Sequence, residues 1–216
     1  MIHWYGLIIG LAIVVGWSIA ERIEPKVNKV LPWVLIFGIL GARLYHVIDL
    51  WSYYSQNLGQ IVAVWNGGLG IFGGIGGGVI GLLIYQVTHK LTKNETWKML
   101  AASITGLPIA QAIGRWGNLV NNELWGAHHE PLFLYESILD LILFGILWRL
   151  YRRGQHSMIR VGTYFAGYGV IRLILEPLKP SPWRVGYAVA GGLVVLGVLL
   201  IGLTKYTPIG YAKKHE

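Results

Sequence analysis

Seven apolar segments punctuate this chain, at residues 4–20, 30–48, 69–87, 100–116, 132–151, 161–178 and 185–203, and nothing else constrains its fold as much. A hydrocarbon layer about 30 Å thick takes roughly 20 helical residues to cross, and inside it every backbone N–H and C=O must be paired within the protein. The expectation is an all-α integral membrane protein with about seven transmembrane helices, forming a single polytopic membrane domain over residues 1–216. A re-entrant or interfacial piece is expected at residues 61–65. With 54% hydrophobic and 13% charged residues and a mean hydropathy of +0.53, the chain is too apolar for an ordinary soluble domain. The first run follows Met1 with neither a basic n-region nor a small-residue cleavage site, so it reads as a span rather than a signal peptide.

The net charge of +8 is spread in short clusters between apolar runs, a pattern of membrane topology and not of a nucleic-acid-binding face. Arg22, Lys26 and Lys29 follow the first span, and Lys90, Lys93 and Lys98 the third. Arg149, Arg152, Arg153 and Arg160 follow the fifth, and Lys205, Lys213 and Lys214 the seventh. By the positive-inside rule these ends are cytoplasmic, which puts the N-terminus outside and the C-terminus in the cytoplasm. Lys179 and Arg184 remain on the outer side, while Arg43, Arg115 and Arg172 fall within or at the edge of spans. The chain has no cysteine, which removes disulfides, thiolate metal sites and a cysteine nucleophile. A thiol, if the chemistry needs one, must come from a substrate.

Residues 114–126 read Gly-Arg-Trp-Gly-Asn-Leu-Val-Asn-Asn-Glu-Leu-Trp-Gly and follow directly on an apolar segment. Polar groups at the edge of hydrocarbon must pair or bind something. Arg115 offers a planar fork of donors suited to a phosphate, and Asn118, Asn121, Asn122 and Glu123 can orient it or hold hydroxyls. A polar helix end with an internal Arg–Glu pair is the alternative. Tyr168, Arg172 and Glu176 are spaced i, i+4, i+8 and share one helix face, either as a self-satisfied stack or as part of a site. Arg43 lies too deep for a flank and needs a counter-charge from Asp49, Glu136 or Asp140, unless it snorkels. Trp4 and Tyr5 suit an interfacial aromatic belt, and the glycines from Gly67 to Gly81 suit close helix packing. Glu136 and Asp140 are one helical turn apart, but no further ligand stands at metal spacing, so no metal or other cofactor is expected.

The run at 114–126 resembles the signature of bacterial prolipoprotein diacylglyceryl transferases, Gly-Arg-x-Gly-Asn-Phe-x-Asn-x-Glu-x-x-Gly, with Leu119 in place of the phenylalanine. Four further stretches resemble motifs of that family: His3-Trp4-Tyr5-Gly6; Gly41-Ala42-Arg43; the Trp-x-Gly-Gly-x-x-x-x-Gly-Gly element from Trp65 to Gly74; and Gly167-Tyr168-Gly169-Val170-Ile171-Arg172 continuing to Glu176. Residues 128–136, ending in Leu134-Tyr135-Glu136, resemble the family's His-Pro-x-x-Leu-Tyr-Glu, with Glu130 where the histidine is expected. Phe72 stands where many members carry a histidine viewed as a base, although others have an aromatic there. The sizeable extracytoplasmic head region of typical members is reduced here to a few residues between Gly126 and Pro131.

The resemblance implies transfer of diacylglyceryl from phosphatidylglycerol to the lipobox cysteine thiol of a preprolipoprotein, in the bacterial cytoplasmic (inner) membrane. A thioether forms and glycerol phosphate leaves. It implies Arg115 and Arg172 at the leaving phosphate, Glu123 and Glu176 orienting them, and Tyr5 or Tyr168 taking or relaying the thiol proton. It further implies that Asn118, Asn121, Gly126, Arg43, Tyr135, Gly73 and Gly74 contribute to substrate binding. A non-catalytic lipid-binding relative and a membrane transporter are the alternatives; no inverted repeat of the transporter kind is visible between the two halves.

Overall fold

A computed structural model describes residues 4–206, and His3 and the tail beyond 206 lie outside the described residues. These residues are helical in α1 (Trp4–Ile23), α2 (Val27–Asp49), α3 (Trp51–Tyr54), α4 (Ile71–Thr88), α5 (Lys93–Val120), α6 (Leu132–Arg152), α7 (Ser157–Leu175) and α8 (Arg184–Leu203). Each of the seven apolar segments overlaps one of the long helices, with residues 69–70 ahead of α4 and 176–178 in a 3-10 turn after α7. Among the described residues four helices are long and apolar enough to cross a membrane: α1, α2, α7 continued by a 3-10 turn to Leu178, and α8. Their outward faces carry exposed apolar side chains such as Leu7, Leu40, Ile48, Val198 and Leu199, as a hydrocarbon solvent requires and water would penalise.

The chain divides into two compact units. One comprises residues 26–96. Within it α2 and α4 run antiparallel, and the glycines of α4 set their separation. A Cβ on Gly73, Gly77 or Gly81 would collide with the carbonyl of Gly41, Phe37 or Trp33 respectively, so a four-residue ladder on each helix brings backbone against backbone. Between the two helices the segment expected to be re-entrant or interfacial is irregular, with 3-10 turns at Leu58–Gln60 and Val64–Asn66 and positive φ at Gly67 and Gly68. At the start of α5, Thr92 and Glu95 form a capping box: Thr92 N donates to Glu95 Oε2 at 3.1 Å and Glu95 N to Thr92 Oγ1 at 3.3 Å. Lys26 adds an ion pair to Glu95 at 2.7 Å. Lys26 and Thr92 together hold the Glu95 carboxyl well below its usual range.

The other unit comprises residues 1–25 and 97–216. Close approach at small residues again sets the packing: Gly16 on α1 meets Gly106 on α5, and Gly162 and Gly169 on α7 meet Gly197 and Ala190 on α8. The buried core is built from Ala101 and Ile104 of α5, Leu143 and Leu147 of α6, and Val161, Tyr164, Ile171 and Leu175 of α7. Side chains of α5, α6 and α7 therefore meet in one cluster, and the polar residues on those helices are brought together at the end where α5 finishes and α6 begins.

Candidate functional site

Glu136 organises the site. It is 0% exposed on the second turn of α6, where a carboxylate survives only with compensating charge and hydrogen bonds. Arg115, from the last turns of α5, supplies both through an Nη2 to Oε1 contact of 2.6 Å. Arg172, from α7, reaches the same oxygen with Nη1 at 3.4 Å, and the Tyr168 hydroxyl lies 3.4 Å from it. Tyr168 Oη is also 3.4 Å from Arg115 Nη2. Two guanidiniums and a phenol from α5 and α7 thus converge on one carboxylate oxygen of α6.

Arg172 bridges to a second carboxylate. Its Nη2 donates to Glu176 Oε2 at 2.8 Å, Lys179 Nζ donates to the same oxygen at 2.8 Å, and Trp183 N donates to Glu176 Oε1 at 3.1 Å. Along these contacts three cations share two carboxylates. The arginine side chains remain 20% and 22% exposed while Glu136 is sealed. Among the described residues Arg115 Nε, Glu136 Oε2 and both carboxylate oxygens of the buried Asp140 have no hydrogen-bond partner. Tyr164 stacks on Tyr168 with ring centroids 5.9 Å apart, and its hydroxyl meets Gln111 Oε1 at 3.3 Å. Ser137 donates to Ala112 O at 2.9 Å, a further tie between α6 and α5.

Beyond α5 the polar run forms its own cluster. Asn118 Nδ2 and Asn121 Nδ2 donate to the two oxygens of Glu123 at 3.0 and 3.4 Å, and Trp125 Nε1 donates to Asn122 Oδ1 at 3.1 Å. The loop is tight: Asn122, Leu124 and His129 have positive φ. A Cβ on Gly126 would collide with the Glu130 carboxylate, whose Oε2 accepts from His128 N at 2.8 Å. The Glu130 backbone amide, and after it the His128 hydrogen bond, hold the Glu130 carboxyl below its ordinary range. A cleft of about 330 Å³ opens beside this loop, lined by Leu124, Trp125, Leu132, Lys179, Pro180 and Ser181.

Two expected pairings are corrected. Arg115 pairs with Glu136 and not with Glu123, because Glu123 folds back onto Asn118 and Asn121. Arg43 takes no carboxylate: among the described residues it donates to the carbonyls of Gln60, Ile61, Ala63, Gly67 and Gly68, with 2.8 Å to Ile61 O and 2.6 Å to Gly67 O. Tyr54 lies under its guanidinium, 5.2 Å from centroid to Cζ. Five carbonyl dipoles do the work of a counter-charge, and Arg43 shapes the irregular segment. Gly73 lies in the α2–α4 seam, and a Cβ on Gly74 would rest 3.6 Å from the Ala42 Cβ.

Tyr5 is 39% exposed on the first turn of α1; its ring packs where a Cβ on Gly117 would be, 3.0 Å from Tyr5 Cδ2. Tyr135 is also 39% exposed, beside Glu136 in sequence but on the open face of α6. The sequence reading missed the hub role of Glu136 and the third cation, Lys179. One signal was available for the first, since the stripe Tyr168, Arg172, Glu176 places an arginine and a phenol where a carboxylate on a neighbouring helix would be needed.

A family model described as prolipoprotein diacylglyceryl transferase matches residues 1–204. The phosphatidylglycerol–prolipoprotein diacylglyceryl transferase of Finegoldia magna is 33% identical over 94% of this chain and 89% of its own length. The protein of the same description from Acaryochloris marina is 33% identical over 94% of this chain and 86% of its own. One from Streptococcus pneumoniae is 34% identical over 93% and 88%.

Proposed function

This chain belongs to the prolipoprotein diacylglyceryl transferase family and is a transferase of lipoprotein maturation, and we propose that its reaction takes place where Arg115 and Arg172 converge. The donor is phosphatidylglycerol and the acceptor is the lipobox cysteine thiol of a preprolipoprotein. Sulfur attacks the glyceryl carbon, the carbon–oxygen bond to phosphate breaks, and glycerol phosphate leaves with one more negative charge than the diester carried. Catalysis then depends on cations fixed in advance beside the leaving oxygens, in a site of low dielectric where they act more strongly than in water.

The observation that carries this reading is the convergence of two partly exposed arginines, from different helices, on a single oxygen of Glu136. Glu136 and Glu176 aim the two forks, and Lys179 adds positive charge beside Arg172. Asn118 and Asn121, with Glu123, hold the glycerol hydroxyls. Tyr168 relays the thiol proton, with Tyr5 as the second phenol near the end of α5. Gly126 keeps the loop tight enough to leave the cleft open, while Tyr135, Arg43, Gly73 and Gly74 support the binding of the lipid.

We further propose that the chain is one polytopic domain of the bacterial inner membrane with seven spans, α1, α2, α4, α5, α6, α7 and α8, N-terminus outside and C-terminus cytoplasmic. The distribution of lysine and arginine supports it. In that orientation the ends of α5 and α7 and the start of α6 face outward, on the side where an exported lipobox emerges.

The test is incubation of purified protein with phosphatidylglycerol and a lipobox peptide, following the mass of the peptide. A gain of one diacylglyceryl group is expected. Lipid retention without any change in peptide mass would leave only a lipid-binding relative.

A further inference from the structure

We propose that the N-terminal end of α7 holds a phosphate group, clasped by Arg160 and His156. Arg160 is the fourth residue of α7 and is 7% exposed, yet none of the ion pairs among the described residues includes it. Its Nη1 meets Thr105 Oγ1 at 3.5 Å, the limit of a hydrogen bond. Its Cζ lies 5.5 Å from the centroid of the Tyr151 ring. Its buried Nε has no partner among the described residues. A guanidinium removed from water without a counter-ion is among the costliest groups a fold can carry.

The surroundings add donors. His156 precedes α7, and its Nδ1 accepts from Met158 N at 3.1 Å. In a neutral ring the proton then resides on Nε2, and that nitrogen is buried with no partner among the described residues. Burial and the charge of Arg160 both lower the His156 pKa, which keeps the ring in that neutral form. The helix N-terminus contributes the positive end of its dipole, while the N–H groups of Met158, Ile159 and Arg160 are taken by His156 Nδ1 and the His156 carbonyl. Arg149, Arg152 and Arg153, at the adjoining end of α6, raise the local positive potential.

The missing element is an acceptor with negative charge and several oxygens, able to meet an Nε–H and an imidazole N–H together. A phosphate has that shape and charge. Two sources offer it at a membrane surface, the headgroup of an anionic phospholipid and free inorganic phosphate. The position is remote from the Arg115 and Arg172 cluster along α7, since Arg160 and Arg172 are twelve residues apart, about 18 Å along a helix.

The test compares wild type, Arg160→Met and Arg160→Gln, each purified in detergent and stripped of lipid. Each is titrated with inorganic phosphate, short-chain phosphatidic acid or short-chain diacylglycerol, with thermal midpoint and native mass as readouts. Binding at the outer cluster is common to all three proteins, so the difference between wild type and variants isolates Arg160. Phosphatidic acid is expected to raise the midpoint of wild type more than that of either variant, and wild type is expected to retain one more lipid. If inorganic phosphate alone reproduces that difference, the ligand is free phosphate; if only phosphatidic acid does, it is a headgroup. Without lipid, Arg160→Met is expected to melt no lower than wild type, because it removes an unpaired charge. Equal responses of all three proteins, or a gain with diacylglycerol as large as with phosphatidic acid, would overturn the site. So would both variants melting below wild type without any ligand, which would mean that Arg160 is satisfied within the chain.

Discussion

Gly41 on α2 and Gly73 on α4 meet backbone to backbone, each occupying the space that a Cβ on the other would need. The contact recurs four residues away on each helix, at Phe37 and Gly77, so the seam is a row and not a single point. Small residues at these positions trade helix propensity for close van der Waals contact between helices.

Gly77→Leu should therefore separate α2 from α4 and cost several kcal/mol, in the range of severe overpacking. Gly76 lies on the same helix with nothing within 4 Å of its absent Cβ, and Gly76→Ala should be neutral or raise stability by about 0.5–1 kcal/mol. Thermal midpoints of the two variants in detergent check this; similar midpoints would mean that the seam is not what holds this unit.

The fold was legible in the chain to the extent that apolar length decides it. Residues 30–48 and 69–87 had to be helices because hydrocarbon leaves unpaired backbone no other outlet, and the glycine row of α4 announced a close partner. The stripe of Tyr168, Arg172 and Glu176 was equally plain, since it depends on helical period alone. What depends on packing between helices was not. Nothing in sequence spacing couples Arg115 to Glu136, twenty-one residues on, and the nearer Glu123 was the natural partner until its two asparagines were seen to claim it. Arg43 was harder still, because backbone carbonyls that solvate a guanidinium carry no residue type to read.

Tyr168→Phe should slow transfer by about 10²-fold, the lower range for loss of a positioned proton-transfer group, while removing only two long hydrogen bonds of 3.4 Å and so costing little stability. Phe72 is a useful contrast. It is 45% exposed, its ring centroid lies 6.1 Å from that of Tyr45, and it can take no proton. Phe72→Ala should weaken packing and leave turnover within a few-fold of wild type. Rates measured on both variants at matched stability decide the matter, and full activity in Tyr168→Phe would remove that phenol from the mechanism.

Orientation can be read from single cysteines, since the chain has none of its own. A cysteine at His128, in the loop beside the cleft, should react with an impermeant reagent in intact cells. One at Gln155, between α6 and α7, should react only after the membrane is opened. The reverse pattern would move the transfer site to the cytoplasmic side and break its link to exported substrates.

Arg115 and Glu136 are 2.6 Å apart, and the question is whether that pair is scaffolding or machinery. As scaffolding alone, Arg115→Ala would leave a sealed carboxylate short of its nearest counter-charge, at a cost of about 3–5 kcal/mol reduced by whatever Arg172 supplies. Removing both members, as in Arg115→Met with Glu136→Leu, would then restore the fold and the transfer rate together. As machinery, the guanidinium is needed at the leaving phosphate whatever happens to Glu136. The double variant should then recover its melting temperature while transfer stays down by about 10²-fold or more, the usual loss when one preplaced donor goes. Arg115→Lys separates charge from geometry. An ammonium can still neutralise Glu136, so stability should hold near wild type, but it cannot offer one edge to the carboxylate and another to a phosphate in a fixed plane, so the rate should fall nearly as far as in Arg115→Ala. Melting temperature and peptide mass followed on the same preparations give both quantities, and a double variant that regained full transfer would take Arg115 out of the reaction.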